Sequence, residues 1–213
     1  MTVETKDFDK EAATWDDEPQ RVKLARGIAG AISARVKLTS DMDVLDFGCG
    51  TGLLTIALSS LVRSVTAVDS SRGMLDVLMA KVEKQNISNV KAQHVQVDNG
   101  EFLGGSYHLI VSSMTLHHVK EIGYLLNQFY MIARPAGRLC IVDLDPDDGR
   151  FHSENERVYH YGFVRAALRK AIAAAGFADV EDMTAAEVMK PVADGRMQLF
   201  TVFLMIGRKI SDR

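Results

Sequence analysis

Nine residues, Val44-Leu45-Asp46-Phe47-Gly48-Cys49-Gly50-Thr51-Gly52, constrain this chain more than any others. The apolar stretch that leads into them reads as a buried strand, and residues 53–61 after them read as a helix. Three glycines at alternate positions between the two permit a sharp turn and let the backbone approach a ligand without a Cβ in the way. In an open α/β sheet that turn lies at the carboxyl edge of the first strand, where such sheets bind their ligands. The spacing is Gly-x-Gly-x-Gly, with Leu53 where the dinucleotide fingerprint wants its third glycine. A nicotinamide cofactor is therefore disfavoured.

The rest of the sequence repeats the strand-helix alternation. Strands are predicted at 43–47, 64–68, 90–97, 107–112 and 138–143, and helices at 19–36, 53–61, 71–84, 121–133 and 163–175. Continuous apolar strands alternating with amphipathic helices imply a mainly parallel sheet covered on both faces. Residues 179–183 and 198–208 then form a hairpin through Pro191 and the Asp194-Gly195 turn, so the last strand is expected to run antiparallel. A second carboxylate, Asp69, ends the strand after the glycine loop, about 20 residues past Gly48. At that place a carboxylate accepts from both hydroxyls of a ribose, which points to an adenosine-bearing ligand.

Composition narrows the classes. The chain has 213 residues, 47% of them hydrophobic, enough to bury the core of one domain spanning 1–213. With 25 Lys and Arg against 28 Asp and Glu, the formal charge of -3 offers no sink for a polyanion, so no nucleic-acid partner is expected. Cys49 and Cys140 have no metal-binding spacing and read as reduced thiols, consistent with a cytoplasmic setting. No apolar run is long enough for a membrane span, and no export segment is expected.

Five ordered segments carry a resemblance: Val44 to Gly52; Val65-Thr66-Ala67-Val68-Asp69-Ser70; Val97-Asp98-Asn99-Gly100; the stretch Tyr107 to Val119 with Ser112-Ser113-Met114-Thr115-Leu116-His117-His118; and Arg134-Pro135-Ala136-Gly137-Arg138-Leu139. Together they resemble the class I S-adenosyl-L-methionine (SAM)-dependent methyltransferases of the small-molecule type, those like methyltransferase types 11 and 12. The resemblance implies an α/β, Rossmann-like, doubly wound seven-stranded sheet, mostly parallel, with a C-terminal antiparallel hairpin strand. It implies SAM as cofactor and S-adenosyl-L-homocysteine as product. By the same resemblance Asp46, Gly48, Cys49, Gly50, Thr51 and Gly52 line the methionine end, with Asp46 near its ammonium. Asp69 takes the ribose hydroxyls, Ser70 and Met74 flank the adenine, and Asp98 with Asn99 meets the adenine amino group. Ser112, Ser113 or Met114, together with His117, borders the transferred methyl.

Methyl transfer is a displacement at an already activated carbon, so alignment supplies much of the rate and a base assists only acceptors that must lose a proton. His117 is the candidate for that base, since consecutive residues point differently and only one of His117 and His118 is expected to face the acceptor. Acceptor choice is assigned to a lid made of the arm and helix over 1–38 and an insert over 144–162, with Phe8, Trp15, Phe151, His152, Tyr159, His160 and Tyr161. Arg21 is a candidate partner for the cofactor carboxylate. His152 and His160 lack a third ligand at helical spacing, so no metal is expected. The acceptor is expected to be a small molecule methylated on O, N or C, and the protein a monomer or homodimer. A nucleic-acid amino methyltransferase is excluded by Ser112-Ser113-Met114-Thr115 in place of an Asn/Asp-Pro-Pro-Tyr/Phe motif. The quinone-biosynthesis members remain open through Phe8-Asp9-Lys10 and His117-His118. Two other classes remain as alternatives: a nicotinamide oxidoreductase, and a SAM-binding protein without catalysis.

Overall fold

The computed structural model describes residues 8–152 and 155–210. A short helix α1 (Phe8–Glu11) and a 3₁₀ turn (Ala12–Asp17) lead into α2 (Pro19–Arg35). Pro19 sits in the first turn of α2, where its missing N–H costs no hydrogen bond. There follow β1 (Asp43–Phe47), α3 (Leu53–Ser59), β2 (Ser64–Asp69), α4 (Arg72–Lys84), β3 (Val90–His94), β4 (Tyr107–Ser113), α5 (Ile122–Ile132), β5 (Ala133–Leu144), α6 (Arg165–Ala174), β6 (Phe177–Pro191) and β7 (Met197–Lys209). They build one seven-stranded sheet in the order β3-β2-β1-β4-β5-β7-β6. The first five strands are parallel, and β7 runs antiparallel between β5 and β6. This is the doubly wound α/β fold the alternation implied.

The two faces of the sheet carry separate cores. One joins Ile28 and Ile32 of α2, Leu54 and Leu58 of α3, and Leu75, Leu78 and Val82 of α4 to Val44, Val65 and Val111. The other packs Leu125 and Phe129 of α5 and Leu168 and Ile172 of α6 on Leu45, Ile110 and Ile141. Each such aliphatic or aromatic side chain, fully buried, contributes roughly 1.5–3 kcal/mol. The strand order reverses between β1 and β4, and the crevice opened there is where an α/β sheet takes its ligand.

Three elements differ from the sequence expectation. β3 stops at His94, because the chain turns into a 3₁₀ segment at Val97–Asn99 that closes on Gly100. β5 begins five residues early: Tyr107 pairs with Ala133 and Leu109 with Arg138, so residues 134–137 loop out as a bulge around Pro135, which has no N–H to give the ladder. β6 extends to Pro191 as an edge strand whose polar alternation hides it from an apolar-run criterion. Among the described residues, no helix is long and apolar enough to cross a membrane. Residues 1–7 of the arm and 153–154 of the insert lie outside the described residues.

Candidate active site

The glycine loop is fixed from β2. The N–H groups of Gly48 and Cys49 both donate to the Val68 carbonyl, at 2.8 and 3.0 Å. Gly50 has φ +54°, and a Cβ there would meet nothing within 4 Å, so its open side is available to a ligand. Its N–H donates to Asp69 Oδ2 at 2.8 Å, while Asp69 Oδ1 accepts from the Ser71 N–H at 2.9 Å. Asp69 thus ties the loop to the start of α4, which Ser71 caps by accepting from the Met74 N–H at 3.1 Å. Burial raises the Asp69 pKa against these backbone hydrogen bonds.

Asp46, at the end of β1, is 1% exposed and accepts from Thr55 Oγ1 at 2.6 Å. Burial pushes its carboxyl up to about 7, the Thr55 hydrogen bond pulls it down, and the charge of Asp69 adds to the rise. A carboxyl so placed ionises readily only beside a cation. The same burial, with Asp46 and Asp69 nearby, pushes the Cys49 thiol up, and Cys140 is pushed up to about 12. Both cysteines are free and buried, as unreactive thiols are.

Across the crevice lie the ends of β4 and β5. His117, in the 3₁₀ turn Leu116–His118, is 1% exposed, and Asp143 on β5 is fully buried. His117 Nδ1 lies 2.7 Å from Asp143 Oδ1, and the His117 N–H donates to Asp143 Oδ2 at 3.3 Å. With Nδ1–H donating to the carboxylate, the neutral ring keeps its lone pair on Nε2. That atom is 3.1 Å from His152 Nε2. His118 also borders the cavity, its ring 4.1 Å from that of His117, so both histidines face the site rather than one. The 3₁₀ turn sets their directions apart from strand-like alternation.

These groups line one cavity of about 570 Å³, within the usual range for small-molecule sites. Asp46, Gly48, Cys49, Gly50, Thr51, Asp69, Ser70, Met74, Asp98, Asn99, Ser113, Met114 and His117 all border it. Gly52 and Ser112 do not. Gly52 opens α3 at φ +81°, where a Cβ would lie 2.1 Å from Leu78 Cδ1, so it serves helix packing. Ser112 is buried within β4 with its hydroxyl unpartnered.

The arm and the insert wall the cavity. Asp9 accepts from Ser71 Oγ at 2.6 Å and from the Gly73 N–H at 2.7 Å, and these bonds lower its pKa. Asp16 accepts from Thr51 Oγ1 at 2.6 Å and pairs with Lys81 at 2.6 Å. Phe8 and Trp15 line the cavity, and Arg21 lies over the Trp15 ring at 3.8 Å while pairing with Glu18. On the other side, the N–H groups of Tyr159 and His160 both donate to the His117 carbonyl, at 2.9 and 3.3 Å. Phe151, His152 and Arg157 border the cavity, whereas Tyr159 and Tyr161 are exposed and His160 turns to the Val119 carbonyl. Lys190 of β6 donates to the Phe151 carbonyl at 2.7 Å. The arm carrying Asp9 and Asp16 was expected at the site, but the contacts these two carboxylates make were not; Asp143, Thr55, Arg157 and Lys190 are the site groups that sequence reasoning missed, Asp143 and Lys190 because their partners are distant in the chain.

The family described as "Methyltransferase domain" matches residues 44–137. An uncharacterized methyltransferase of Schizosaccharomyces pombe is 31% identical over 53% of this chain and 42% of its own length. The chain spans about half the length of the curated relatives it matches, with 42%, 55% and 47% covered in three of them. The crystal structure of YcgJ from Bacillus subtilis superposes with a TM-score of 0.72 at 15% identity, covering 87% of this chain and 99% of that one. Phosphoethanolamine N-methyltransferase 2 of Haemonchus contortus, in complex with SAM, gives 0.69 at 18% identity over 86% of this chain and 52% of that one.

Proposed function

We propose that the chain is a class I SAM-dependent methyltransferase, as its methyltransferase-domain match and fold support, and that it moves a methyl group from SAM to a small-molecule acceptor whose nucleophile is deprotonated by His117. One observation carries the reading: a single cavity runs from the carboxylates ending β1 and β2 to the His117–Asp143 pair. The donor and acceptor sets fit the cofactor. Asp46 lacks a cationic partner among its described contacts and suits an ammonium, Gly50 leaves backbone room for a close approach, and Asp69 suits ribose hydroxyls. Asp98 and Asn99 border the same cavity and offer acceptors that suit an adenine amino group, with Met74 as an apolar wall.

When bound, SAM supplies a methyl already activated on a sulfonium. The chain's own work is to align, to exclude water and to hold a proton. Phe8 and Trp15 cover the cavity while Asp9 and Asp16 hold the arm on α4 and the glycine loop. Asp143 keeps the His117 ring in the tautomer whose Nε2 accepts a proton, and stabilises the imidazolium that results. The acceptor enters beside Met114, His118, Phe151 and His152.

A thermal-shift titration with SAM, S-adenosylhomocysteine, NADH and NADPH tests the cofactor, because a ligand that binds only the native state raises its stability. Stabilisation by the adenosyl ligands alone supports the reading and leads to a screen of small phenols, quinols and amines. Stabilisation by a nicotinamide ligand alone refutes it. In the screen, His117→Ala is expected to lose turnover while keeping SAM affinity; equal losses in both would make His117 a binding residue.

A further inference from the structure

We propose that His117, His118 and His152 form a site for one divalent transition-metal ion of the zinc class, at the acceptor end of the cavity. One ring nitrogen from each of the three lies within 4.8 Å of the others. All three residues border the cavity, so an ion held between them would be accessible to an acceptor there. The His117 and His152 Nε2 atoms are 3.1 Å apart. Two nitrogens each about 2.0–2.1 Å from one tetrahedral ion stand about 3.3 Å apart, so the separation is close to what an ion between them requires.

The surroundings match a metal site as well. The Asp143 carboxylate on His117 Nδ1 is the carboxylate-histidine arrangement that fixes the ring and strengthens a ligating Nε2. His118 Nδ1 is held at 2.7 Å by the Arg157 carbonyl, which sets its ring direction. His152 is held in reach by its neighbour Phe151, whose carbonyl accepts from Lys190 of β6. Three imidazoles with an open position are the donor set of a zinc site that keeps room for an oxygen ligand. A bound ion would use the His117 Nε2 lone pair, so in the ion-loaded protein the cation would lower the pKa of a coordinated acceptor hydroxyl, whose proton would leave to solvent water and not to this imidazole. The inference shares the acceptor end with the proposed function and does not require SAM to be bound.

The test is a metal titration of the intact protein after chelator treatment, with Zn²⁺ in competition with a chromophoric chelator and with Co²⁺ followed by visible absorption. The expected result is one equivalent of ion and intense tetrahedral or five-coordinate Co²⁺ bands. His152→Ala and His118→Ala, at part-exposed positions, should each abolish the bands, and Asp143→Asn should weaken Zn²⁺ binding by about 10- to 100-fold. Urea midpoints establish that the variants are folded. Absence of stoichiometric binding, or binding that survives His152→Ala unchanged, overturns the inference. SAM affinity measured on the same samples separates the two readings: SAM binding without ion binding refutes the metal site alone, and ion binding without SAM binding refutes the cofactor reading alone.

Discussion

Removing the charge of Asp46 should stabilise the protein at the expense of its ligand. In the folded chain the Asp46 carboxyl is pushed from 3.8 to about 7, burial being the main cause. The native state then holds a proton that the unfolded chain has released, over the window from about 4 to about 7. Stability falls with rising pH wherever the native state binds more protons, so this group's contribution is full below pH 4 and lost by pH 7. At about 1.4 kcal/mol per unit, a rise of some three units is worth about 4 kcal/mol. Asp46→Asn keeps a hydrogen-bonding side chain at Thr55 and has nothing to ionise. Its urea-unfolding free energy should exceed the wild type's by only about 1 kcal/mol at pH 4.5 and by about 4 kcal/mol at pH 8. Asp43 is held down at about 2 by its hydrogen bond from Arg63, with that of Ser64 adding to it, so it titrates below this window and does not mask the effect. A ligand ammonium beside Asp46 offsets the same cost, so SAM should bind the wild type more tightly as pH rises towards 7, and the variant without that slope. Parallel stability curves for the two proteins between pH 4.5 and 8 would refute the assignment of a desolvated Asp46 with a raised pKa.

Other outcomes follow from the same geometry. Asp69→Ala should weaken SAM binding by about 1–3 kcal/mol, the scale of charged hydrogen bonds, and unchanged affinity by calorimetry in a folded variant would remove Asp69 from the ribose. Gly52→Ala should cost about 1–2 kcal/mol in urea unfolding through its φ of +81°, with the Leu78 contact adding to it; a neutral change would mean that the α3 entry relaxes freely. If the insert over 144–162 is a lid, its amides should gain hydrogen-exchange protection when cofactor and acceptor bind together, and unchanged protection would make it scaffold. Asp16→Ala cuts the arm's links to Thr51 and Lys81 at once and should speed cofactor release in stopped-flow measurements; an unaltered rate would show that the arm does not cover the ligand.

What the sequence made legible was local. The periodicities of residues 43–47 and 71–84 marked β1 and α4 to within a residue, because apolar spacing is set by the element a segment forms. The glycine loop and Asp69 were legible for the same reason, since both sit within about twenty residues of one βαβ unit. The acceptor end was not. Asp143 meets His117 across 26 residues, and His152 meets it across 35, only because β4 and β5 are neighbours in the sheet and the insert folds back over their ends. Pairing β5 with β7 fixes Asp143 opposite Phe203, a register that no run of residues announces. Of the three alternatives at the end of β4, Ser113 and Met114 border the cavity while Ser112 is buried away from it, a distinction the motif alone does not carry.

The bond from Lys190 to the Phe151 carbonyl has a further meaning for how such a protein diversifies. Beside the arm and α2, one wall of the cavity is written by residues 46–99 and another by residues 113–190, and the latter is braced by an edge strand that takes no part in the former. Length or sequence changes in the terminal hairpin can therefore reshape the acceptor wall while the glycine loop keeps its geometry. A chimaera that exchanges β6 and the insert together, as one unit, should inherit its donor's acceptor preference, whereas exchanging either alone separates a lysine from the carbonyl it holds.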